Sequence, residues 1–405
     1  MKYAFPQLAH ESMFISRKVV ERELRRTGHA VTVEIEKDSD AVLFSACDVM
    51  DMPDLVKLRA TTGKPIILGG QYAYNYWSAG IYSDVVWLGH VFDFAKLQSV
   101  NEITAHPAAY TGDDSKPLVS SQRLEYDKIA VMQTSPGKAS YLGGVGCANR
   151  CAFCFTSWIN NHSENDPRKI GAAISLAKNK KLHLMVVSNS YTDDPELKTK
   201  DMLVKDYLKT PVSGNVLRLG IEFATEQTRA RMKKPITKDE IFATIQKAQR
   251  ESLSLRLFHI AGYDSLNDWE LYIDDMCQML DRAKYNRLIH LKFTNLQYQN
   301  YTPLYAERRN IDPEKYIDSK VTRRWFDKLR TFTKSVLVGP PSPFPHVAAR
   351  MGVELAQSKD VFDFWLNHLK NRKLTSAQAY AELIKSGVLD THRRVMKNDG
   401  RIIIL

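Results

Sequence analysis

The stretch "GGVGCANRCAFCFTSW", residues 143–158, places three cysteines within eight residues of a 405-residue chain that has only five. Cys147, Cys151 and Cys154 follow the spacing C-x3-C-x2-C. On one loop, thiolates at this spacing can occupy three corners of a single iron–sulfur cube and leave the fourth iron without a protein ligand. An iron with an open position is reactive, so the motif predicts a cluster that takes part in chemistry.

Two simpler explanations are a structural zinc site with His162 as the fourth ligand, and thiols that are neighbours by chance. Structural zinc usually takes two short arms that each carry a pair of Cys or His ligands, and the sequence supplies no second arm. Cys47 and Cys277 are each alone in an apolar segment and are predicted to be small buried residues. This cysteine usage is not a disulfide framework, and it favours a reducing compartment.

The chain as a whole is predicted to be α/β. Residues 1–97 alternate helical stretches with short apolar runs, which predicts a small doubly wound parallel sheet. Residues 98–128 are polar and turn-rich and are predicted to be a linker. Residues 129–339 contain six strand–helix units, which predict a partial (β/α)6 barrel whose carboxyl strand ends form the ligand mouth. Residues 340–405 are predicted to form a basic, helical C-terminal region.

The cysteine motif resembles the signature of the radical S-adenosylmethionine (SAM) superfamily, C-x3-C-x-aromatic-C, with Phe153 as the aromatic residue. The resemblance covers roughly residues 129–339, because a six-stranded partial barrel is the core of that family. It implies a [4Fe–4S] cluster on Cys147, Cys151 and Cys154, with SAM chelating the open iron. It also implies a one-electron donor such as flavodoxin or ferredoxin, and a 5′-deoxyadenosyl radical that removes hydrogen from an unactivated carbon. A barrel would shield such a radical from water.

The resemblance implies further contacts with SAM near the first two strands. Phe153 is expected near the adenine. Ser188 and Asn189 occupy the place of a Gly-Gly-Glu-like stretch that holds the methionyl amine in the family. This chain departs from that pattern, although Asn189 could still accept the hydrogen bond.

Three more SAM contacts are implied by the later strands. In "GIEFATEQTRARMKK", Glu222 corresponds to a carboxylate that meets the cofactor ribose, and Arg231 to a basic residue that meets its carboxylate. Gly262 lies where backbone would approach the adenine. The alternatives are a helix-capping carboxylate for Glu222, a solvated helix face for Arg231 and a plain turn for Gly262.

The leading domain resembles the cobalamin-binding domain that precedes many radical SAM enzymes. Cobalamin with a histidine as its lower ligand would require the motif Asp-x-His-x-x-Gly, which the sequence lacks. The histidines of this part of the chain are His10, His29, His90 and His106. A relic or substrate-docking domain is therefore favoured over a cobalamin site, although base-on binding without a histidine stays open.

The formal net charge of +11 favours a polyanionic partner such as DNA or a nucleotide. Aromatic residues that could stack on bases are Tyr298, Tyr301, Trp325 and Trp365, with core packing as the alternative. The layout also resembles radical enzymes of bacteriophage pathways that rebuild thymine side chains in DNA. The favoured function is thus modification or rearrangement of a nucleic-acid base or its amino-acid adduct, by an enzyme of isomerase, mutase or transferase type.

Two other functions are retained as alternatives. One is radical chemistry on a small metabolite or a peptide, and the other is a non-catalytic iron–sulfur protein that binds nucleic acid. The sequence has no apolar run of the ~18 residues that a membrane span needs and no secretory signal pattern, so a cytoplasmic protein without a membrane partner is expected.

Overall fold

The computed structural model describes most of the chain. The described residues are 1–6, 14–112, 131–159, 161–188, 192–194, 199–212, 214–299, 301–310, 312–333, 335–355 and 359–371, with Ala381 and Lys385. The chain divides into two compact units. The N-terminal unit comprises Met1–Arg123, Ala349–Lys373 and Ala381–Leu405, and the barrel unit comprises Leu124–Ala348 and Leu374–Tyr380. Among the described helices, none is both long and apolar enough to cross a membrane.

The N-terminal unit is built on a six-stranded sheet in the order β2-β1-β3-β4-β5-β6. Its strands are β1 (Lys2–Ala4), β2 (Ala30–Thr32), β3 (Ala41–Ser45), β4 (Ile66–Gly69), β5 (Val85–Trp87) and β6 (Ala109–Tyr110). All neighbouring pairs are parallel except β5 and β6. Its helices are α1 (Phe14–Arg26), α2 (Met52–Thr61), α3 (Tyr76–Ala79), α4 (Val91–Phe94) and α5 (Val100–Thr104).

This sheet extends beyond the boundary predicted at residue 97. Helix α5, capped by the Ser99 side chain, and strand β6 both lie within the stretch predicted to be a linker, and β6 pairs with β5. The sequence pattern missed β1 and β6 because strands of three and two residues are too short to show a period. The parallel core of the prediction is confirmed, since β3 and β4 are apolar and almost fully buried, as strands covered on both faces are.

The barrel unit contains a ten-stranded sheet in the order β16-β15-β14-β13-β12-β11-β10-β8-β7, with β9 paired to β8. Its strands are β7 (Met132–Ser135), β8 (Lys138–Val145), β9 (Ser163–Glu164), β10 (His183–Ser188), β11 (Thr192–Asp194), β12 (Thr199–Met202), β13 (Val216–Glu222), β14 (Ser254–Ala261), β15 (Ile289–Asn295) and β16 (Val336–Gly339). Its helices are α6 (Thr156–Ile159), α7 (Pro167–Asn179), α8 (Val204–Lys209), α9 (Glu226–Arg231), α10 (Lys238–Arg250), α11 (Leu266–Arg282) and α12 (Ser319–Leu329).

All six predicted barrel strands are present, as β8, β10, β13, β14, β15 and β16. The difference from a plain (β/α)6 pattern is the pair β11 and β12, which lies between the second and third of them. Strand β11 runs antiparallel to both of its neighbours, and β12 is parallel to β13. These strands were not predicted, because "TDD" and "TKDM" are short and polar.

The two faces of strands β13, β14 and β15 differ in chemistry because their side chains alternate. One face packs on α10 and α11 through a large apolar core that includes Leu219, Leu257 and Leu291. The opposite face is formed by every second residue within 216–220, 254–258 and 290–292, beginning with the first residue of each range. We call it the inner face. It carries polar and charged residues, so the functional groups are to be found on it and at the strand ends.

The C-terminal helices are α13 (Phe344–Leu355) and α14 (Lys359–Asn371). Within the N-terminal unit, Phe362 and Trp365 of α14 are fully buried. The Tyr82 hydroxyl donates to Asp363, and Arg350 forms an ion pair with Asp48. The predicted basic tail is therefore divided: its residues up to Ala348 belong to the barrel unit, and helix α14 packs into the core of the N-terminal unit.

Candidate cofactor site at the carboxyl ends of the barrel strands

The three-cysteine loop begins directly after β8. Gly146 and Arg150 adopt positive φ values of 67° and 45°, which turn the chain sharply around Cys147. The loop is fixed by hydrogen bonds from the Ala152 amide to the Met232 carbonyl at 3.0 Å and from the Leu304 amide to the Ala152 carbonyl at 3.0 Å. Its position is thus set by the segments that follow β13 and β15.

The thiols of the loop are reduced and differ in environment. Cys151 is 8% exposed, while Cys147 and Cys154 are half-buried. Burial raises the pKa of Cys151 to about 11, with nearby Lys234 acting in the opposite direction. Burial also raises the pKa of Cys154. A metal must therefore displace protons from these thiols when it binds.

The donor set fits an iron–sulfur cluster, since three free thiols are presented by one loop. No group of three or more His, Cys, Asp or Glu side chains in the described residues could hold a single metal ion. His162, which the zinc alternative requires as a fourth ligand, lies 3.5 Å from Glu164 in an ion-pair arrangement. The structure therefore gives the zinc alternative no support.

Phe153 lies on the same loop and joins an aromatic cluster. Its ring meets Phe223 edge to face with centroids 5.4 Å apart, and Phe223 meets Tyr263 at 6.1 Å. Phe223 directly follows β13, and Tyr263 follows β14. The cysteine loop is thus connected by aromatic contacts to the carboxyl ends of the third and fourth predicted strands.

Glu222 ends β13 in an unusual backbone conformation. A bulge interrupts the pairing between β13 and β14 after Gly220, and Glu222 adopts a φ of 74°. A non-glycine residue in this region costs about 1–3 kcal/mol and is found most often at functional sites. The Glu222 carboxylate accepts a hydrogen bond from Lys234 at 2.6 Å, and both side chains are largely buried.

Two features show that this ion pair is built into the strand end. A Cβ added to Gly220 would lie 2.1 Å from Glu222 Oε1 and 2.5 Å from Lys234 Nζ, so glycine leaves the room that the pair occupies. Burial alone would lower the pKa of Lys234, but Glu222 and the thiols of Cys151 and Cys154 outweigh burial and leave the pKa raised. Lys234 is therefore a buried cation close to the cysteine loop.

The other predicted SAM contacts are placed differently. Arg231 is on α9 with 61% of its side chain exposed and pairs with Glu307 at 2.9 Å, so Lys234 and not Arg231 is the cation beside Glu222. Ser188 is the last residue of β10. Asn189 lies outside the described residues. The SAM contacts predicted for Arg231, Ser188 and Asn189 stay predictions.

Gly262 follows β14 with a φ of 109°. A Cβ at this position would lie 2.9 Å from the Tyr316 ring, so both the backbone conformation and the space require glycine. Two residues later, buried Asp264 accepts a hydrogen bond from the Ala224 amide at 2.7 Å. The ends of β13 and β14 are thereby joined beside the aromatic cluster.

Sequence reasoning missed Lys234, Gly220 and Tyr316. Lys234 is one of two lysines in "MKKP", and nothing in the local pattern shows which of them turns inward. Gly220 was visible as a glycine inside a strand, which often marks a bulge. Tyr316 lies far along the chain, and only the folded barrel brings it to Gly262.

The described histidines in residues 1–112 of the N-terminal unit, which are the candidate ligands of cobalamin, all take part in hydrogen bonds. His29 uses both ring nitrogens, one with the Met1 amine and one with the Ala95 carbonyl. His90 and His106 each accept a backbone hydrogen bond from two residues on. His10 lies outside the described residues. These contacts assign none of the three described histidines to cobalamin, and cobalamin binding by this unit stays a prediction.

Comparison with known proteins gives matches among solved structures only. No protein-family model matches the chain, and no curated protein matches its sequence. The radical SAM methyltransferase TsrM from Kitasatospora setae, solved with tryptophan and a SAM analogue, is 12% identical with a TM-score of 0.56, covering 76% of this chain and 75% of TsrM. The cobalamin-dependent SAM radical enzyme OxsB, solved with aqua-cobalamin and SAM, is 12% identical with a TM-score of 0.50, covering 82% of this chain. The match spans only 57% of OxsB.

The chain therefore has the fold of the radical SAM enzymes, with the cysteine loop at the carboxyl end of the first predicted barrel strand. The similarity to OxsB covers 82% of the chain and therefore extends beyond the barrel unit into the N-terminal unit. The predicted fold class is confirmed, and the predicted resemblance to radical SAM enzymes is confirmed at the level of the fold.

Proposed function

We propose that the chain is a radical SAM enzyme that holds a [4Fe–4S] cluster on Cys147, Cys151 and Cys154. The observation that carries this proposal is the presentation of three free thiols by one loop at the carboxyl end of β8, in a chain with this fold. Ligands of α/β barrels bind at that end of the strands. The cluster, when bound, supplies the electron that cleaves SAM to a 5′-deoxyadenosyl radical, which then abstracts hydrogen from carbon.

The residues of the chain bind and orient SAM in this proposal. Glu222 presents a carboxylate for the ribose hydroxyls from a fixed position, because Gly220 and Lys234 determine where it lies. Phe153 provides an apolar surface for the adenine and is itself supported by Phe223. Tyr263 extends this aromatic wall and restricts the entry of water.

The direct test is the formation of 5′-deoxyadenosine by anaerobically reconstituted protein with SAM and dithionite. We expect product from the unmodified chain and none above background from Cys151→Ala. The matched control is Cys277→Ala, which removes a buried cysteine of α11 and should leave product formation intact. Equal product from Cys151→Ala and the unmodified chain would refute the proposal.

For the substrate, we propose a nucleic-acid base, a nucleotide or an amino-acid adduct of a base. The support is the formal charge of +11, together with cations on the inner face that have no ion-pair partner among the described residues. The suggested stacking residues give less support, because Trp325, Trp365 and Tyr298 are buried and Tyr301 alone is half-buried. Nucleoside mass spectrometry of cells with and without the gene would identify a modified base, whereas a changed free metabolite or peptide would favour the alternatives.

The proposals on cobalamin, the electron donor and the location extend the expectations from the sequence. Cobalamin is proposed only in a form that needs no histidine ligand, and a relic or substrate-docking role of the N-terminal unit remains favoured. A flavodoxin or ferredoxin is the proposed electron donor, and a reducing cytoplasm the proposed location. The similarity to bacteriophage thymine-modifying enzymes stays a prediction.

A further inference from the structure

The inner face of the barrel sheet carries a row of charged residues that the SAM site does not use. Strand pairing places Asp201 of β12 beside Arg218 of β13, Arg218 beside Arg256 of β14, and Arg256 beside His290 of β15. The interior of such a barrel is ordinarily filled by branched apolar side chains. Four adjacent strands with polar groups at the same level therefore require an explanation.

The charges in this row are not balanced. Arg218 forms an ion pair with Asp201, which neutralises that end of the row. Arg256, by contrast, has no hydrogen bond or ion pair with any residue in the part of the chain that the structure describes, and its Nε is buried without a partner. A buried guanidinium nitrogen that lacks an acceptor is unfavourable, because it has given up its hydrogen bonds to water without replacement.

A second row, one step closer to the carboxyl ends, adds another cation. Lys292 of β15 is exposed. In the sheet it lies opposite Phe258 of β14 on one side and Gly339 of β16 on the other. Its ammonium group is 5.7 Å from the centre of the Phe258 ring. Lys292 and His290 also have no hydrogen-bond partner among the described residues. A Cβ on Gly339 would lie 3.2 Å from His290 Nε2, so the glycine keeps space open beside the imidazole.

The positive charges of Arg256 and Lys292 affect the pKa of the neighbouring His290. Burial lowers the pKa of His290, and the charges of Arg256 and Lys292 lower it further. Two acids of this face, Asp201 and Glu222, each already bind a cation of their own, Arg218 and Lys234. We call Arg256, His290 and Lys292 the inner cationic cluster.

We propose that the inner cationic cluster binds an anionic oxygen group of the substrate, a phosphate or a carboxylate, inside the barrel. Arg256 offers a planar fork of donors that matches such groups, His290 adds a ring N–H, and Lys292 adds charge at the open side. This inference rests on the proposed function, since it assigns the substrate of that same site.

The position of the cluster suits this role. Gly220, over which the Glu222–Lys234 pair lies, is two residues beyond Arg218, or about 7 Å along the strand. The anion would therefore be bound deeper in the barrel than SAM, on the same face. A substrate held by its anionic end would direct its remaining atoms toward the strand ends and the cysteine loop.

The test is calorimetric titration of the full chain with two probes, inorganic phosphate and succinate. We expect saturable binding of at least one probe, weakened about tenfold or more in Arg256→Gln and in Lys292→Gln, because each removes a charge-assisted hydrogen bond. The matched control is Arg323→Gln on α12, whose side chain is 71% exposed and pairs with Asp327, and it should bind like the unmodified chain. Two variants are used because Lys292 is exposed and its replacement should not disturb folding.

The outcomes separate the sources of the anion and the two proposals. Preference for phosphate assigns a phosphorylated substrate, and preference for succinate assigns a carboxylate. No saturable binding of either probe, or equal weakening in Arg323→Gln, would overturn the inference. The titration needs neither the [4Fe–4S] cluster nor SAM, so an unmodified chain that binds neither probe but forms 5′-deoxyadenosine normally would refute this inference alone. Intact anion binding without 5′-deoxyadenosine would refute only the proposed function.

Discussion

At the residue scale, Glu222 shows how much of the site is determined by local geometry. Its φ of 74° is unfavourable, yet this conformation is what brings the carboxylate back over Gly220 to meet Lys234. A helix-capping role does not explain it, because α9 is capped by the Thr225 side chain. Strain that a cap does not require is consistent with a binding role.

Gly220→Ala should separate the role of this ion pair from the stability of the fold. The added Cβ would displace the Glu222 carboxylate and the Lys234 ammonium, which are flexible side-chain ends, so the strand should persist. We expect 5′-deoxyadenosine formation to fall about tenfold, equivalent to about 1.4 kcal/mol, with little change in the melting temperature.

The control for this substitution is Gly171→Ala on helix α7, where an added Cβ meets nothing within 4 Å. It should preserve product formation and leave stability equal or higher, since alanine favours a helix by about 1 kcal/mol over glycine. Unchanged product formation in Gly220→Ala would argue against a role for the pair in SAM binding.

The sequence predicted single site residues only where the motif is local. The three cysteines lie in one loop and were identified by their spacing, whereas Phe153 and Glu222 were implied by the resemblance to the radical SAM superfamily. Lys234 was missed because its contact depends on a bulge in β13 and on the positive φ of Lys233, 57°. The inner cationic cluster was missed because it exists only when strands β14 and β15 are in register.

At the scale of elements, the buried Arg229 connects helix α9 to the carboxyl end of β13 by hydrogen bonds. Arg229 is 2% exposed and donates to the carbonyls of Ile236 at 2.6 Å and of Phe223 and Ala224 at 2.8 Å. The same turn carries the aromatic contact to the cysteine loop. Arg229 therefore positions the site without facing it.

Arg229→Met should destabilise the barrel unit, because it leaves buried carbonyls without donors at about 1–3 kcal/mol each. We expect the midpoint of thermal unfolding to fall by about 6–12 °C. The comparison is Arg231→Met on the same helix, which removes an exposed pair with Glu307 and should shift the midpoint by less than about 2 °C. Equal shifts in the two variants would contradict the positioning role.

Element prediction succeeded where strands are long and apolar. Strands β8, β13 and β14 have seven or eight residues and a visible pattern, and they are among the six barrel strands that the sequence predicted. Strands β1, β6, β11 and β12 have two to four residues, and their pairing partners determine them more than their own composition does.

At the scale of the whole molecule, the division into units differs from a linear series of domains. Residues from beyond the barrel return to the N-terminal unit, where α14 buries Phe362 and Trp365. Sequence order alone suggested a separate tail, because the pattern of a helix does not show which core it completes.

The net charge predicts salt-dependent binding if the substrate is part of a nucleic acid. We expect the chain to shift single-stranded or duplex DNA in a gel at 50 mM salt, and the affinity to fall about tenfold or more at 200 mM, because releasing each counterion into more concentrated salt gains less entropy. Bovine serum albumin at the same concentration is a suitable negative control. No shift at low salt would favour a small substrate over DNA.

The central claim is that three thiolates hold a cubane with one iron left open for SAM. Mössbauer spectroscopy of anaerobically reconstituted, 57Fe-labelled protein tests it most directly, with and without SAM. The account predicts a [4Fe–4S] signal of which one iron in four changes its isomer shift when SAM is added. A protein without a cubane signal, or with four irons that do not respond to SAM, would contradict it.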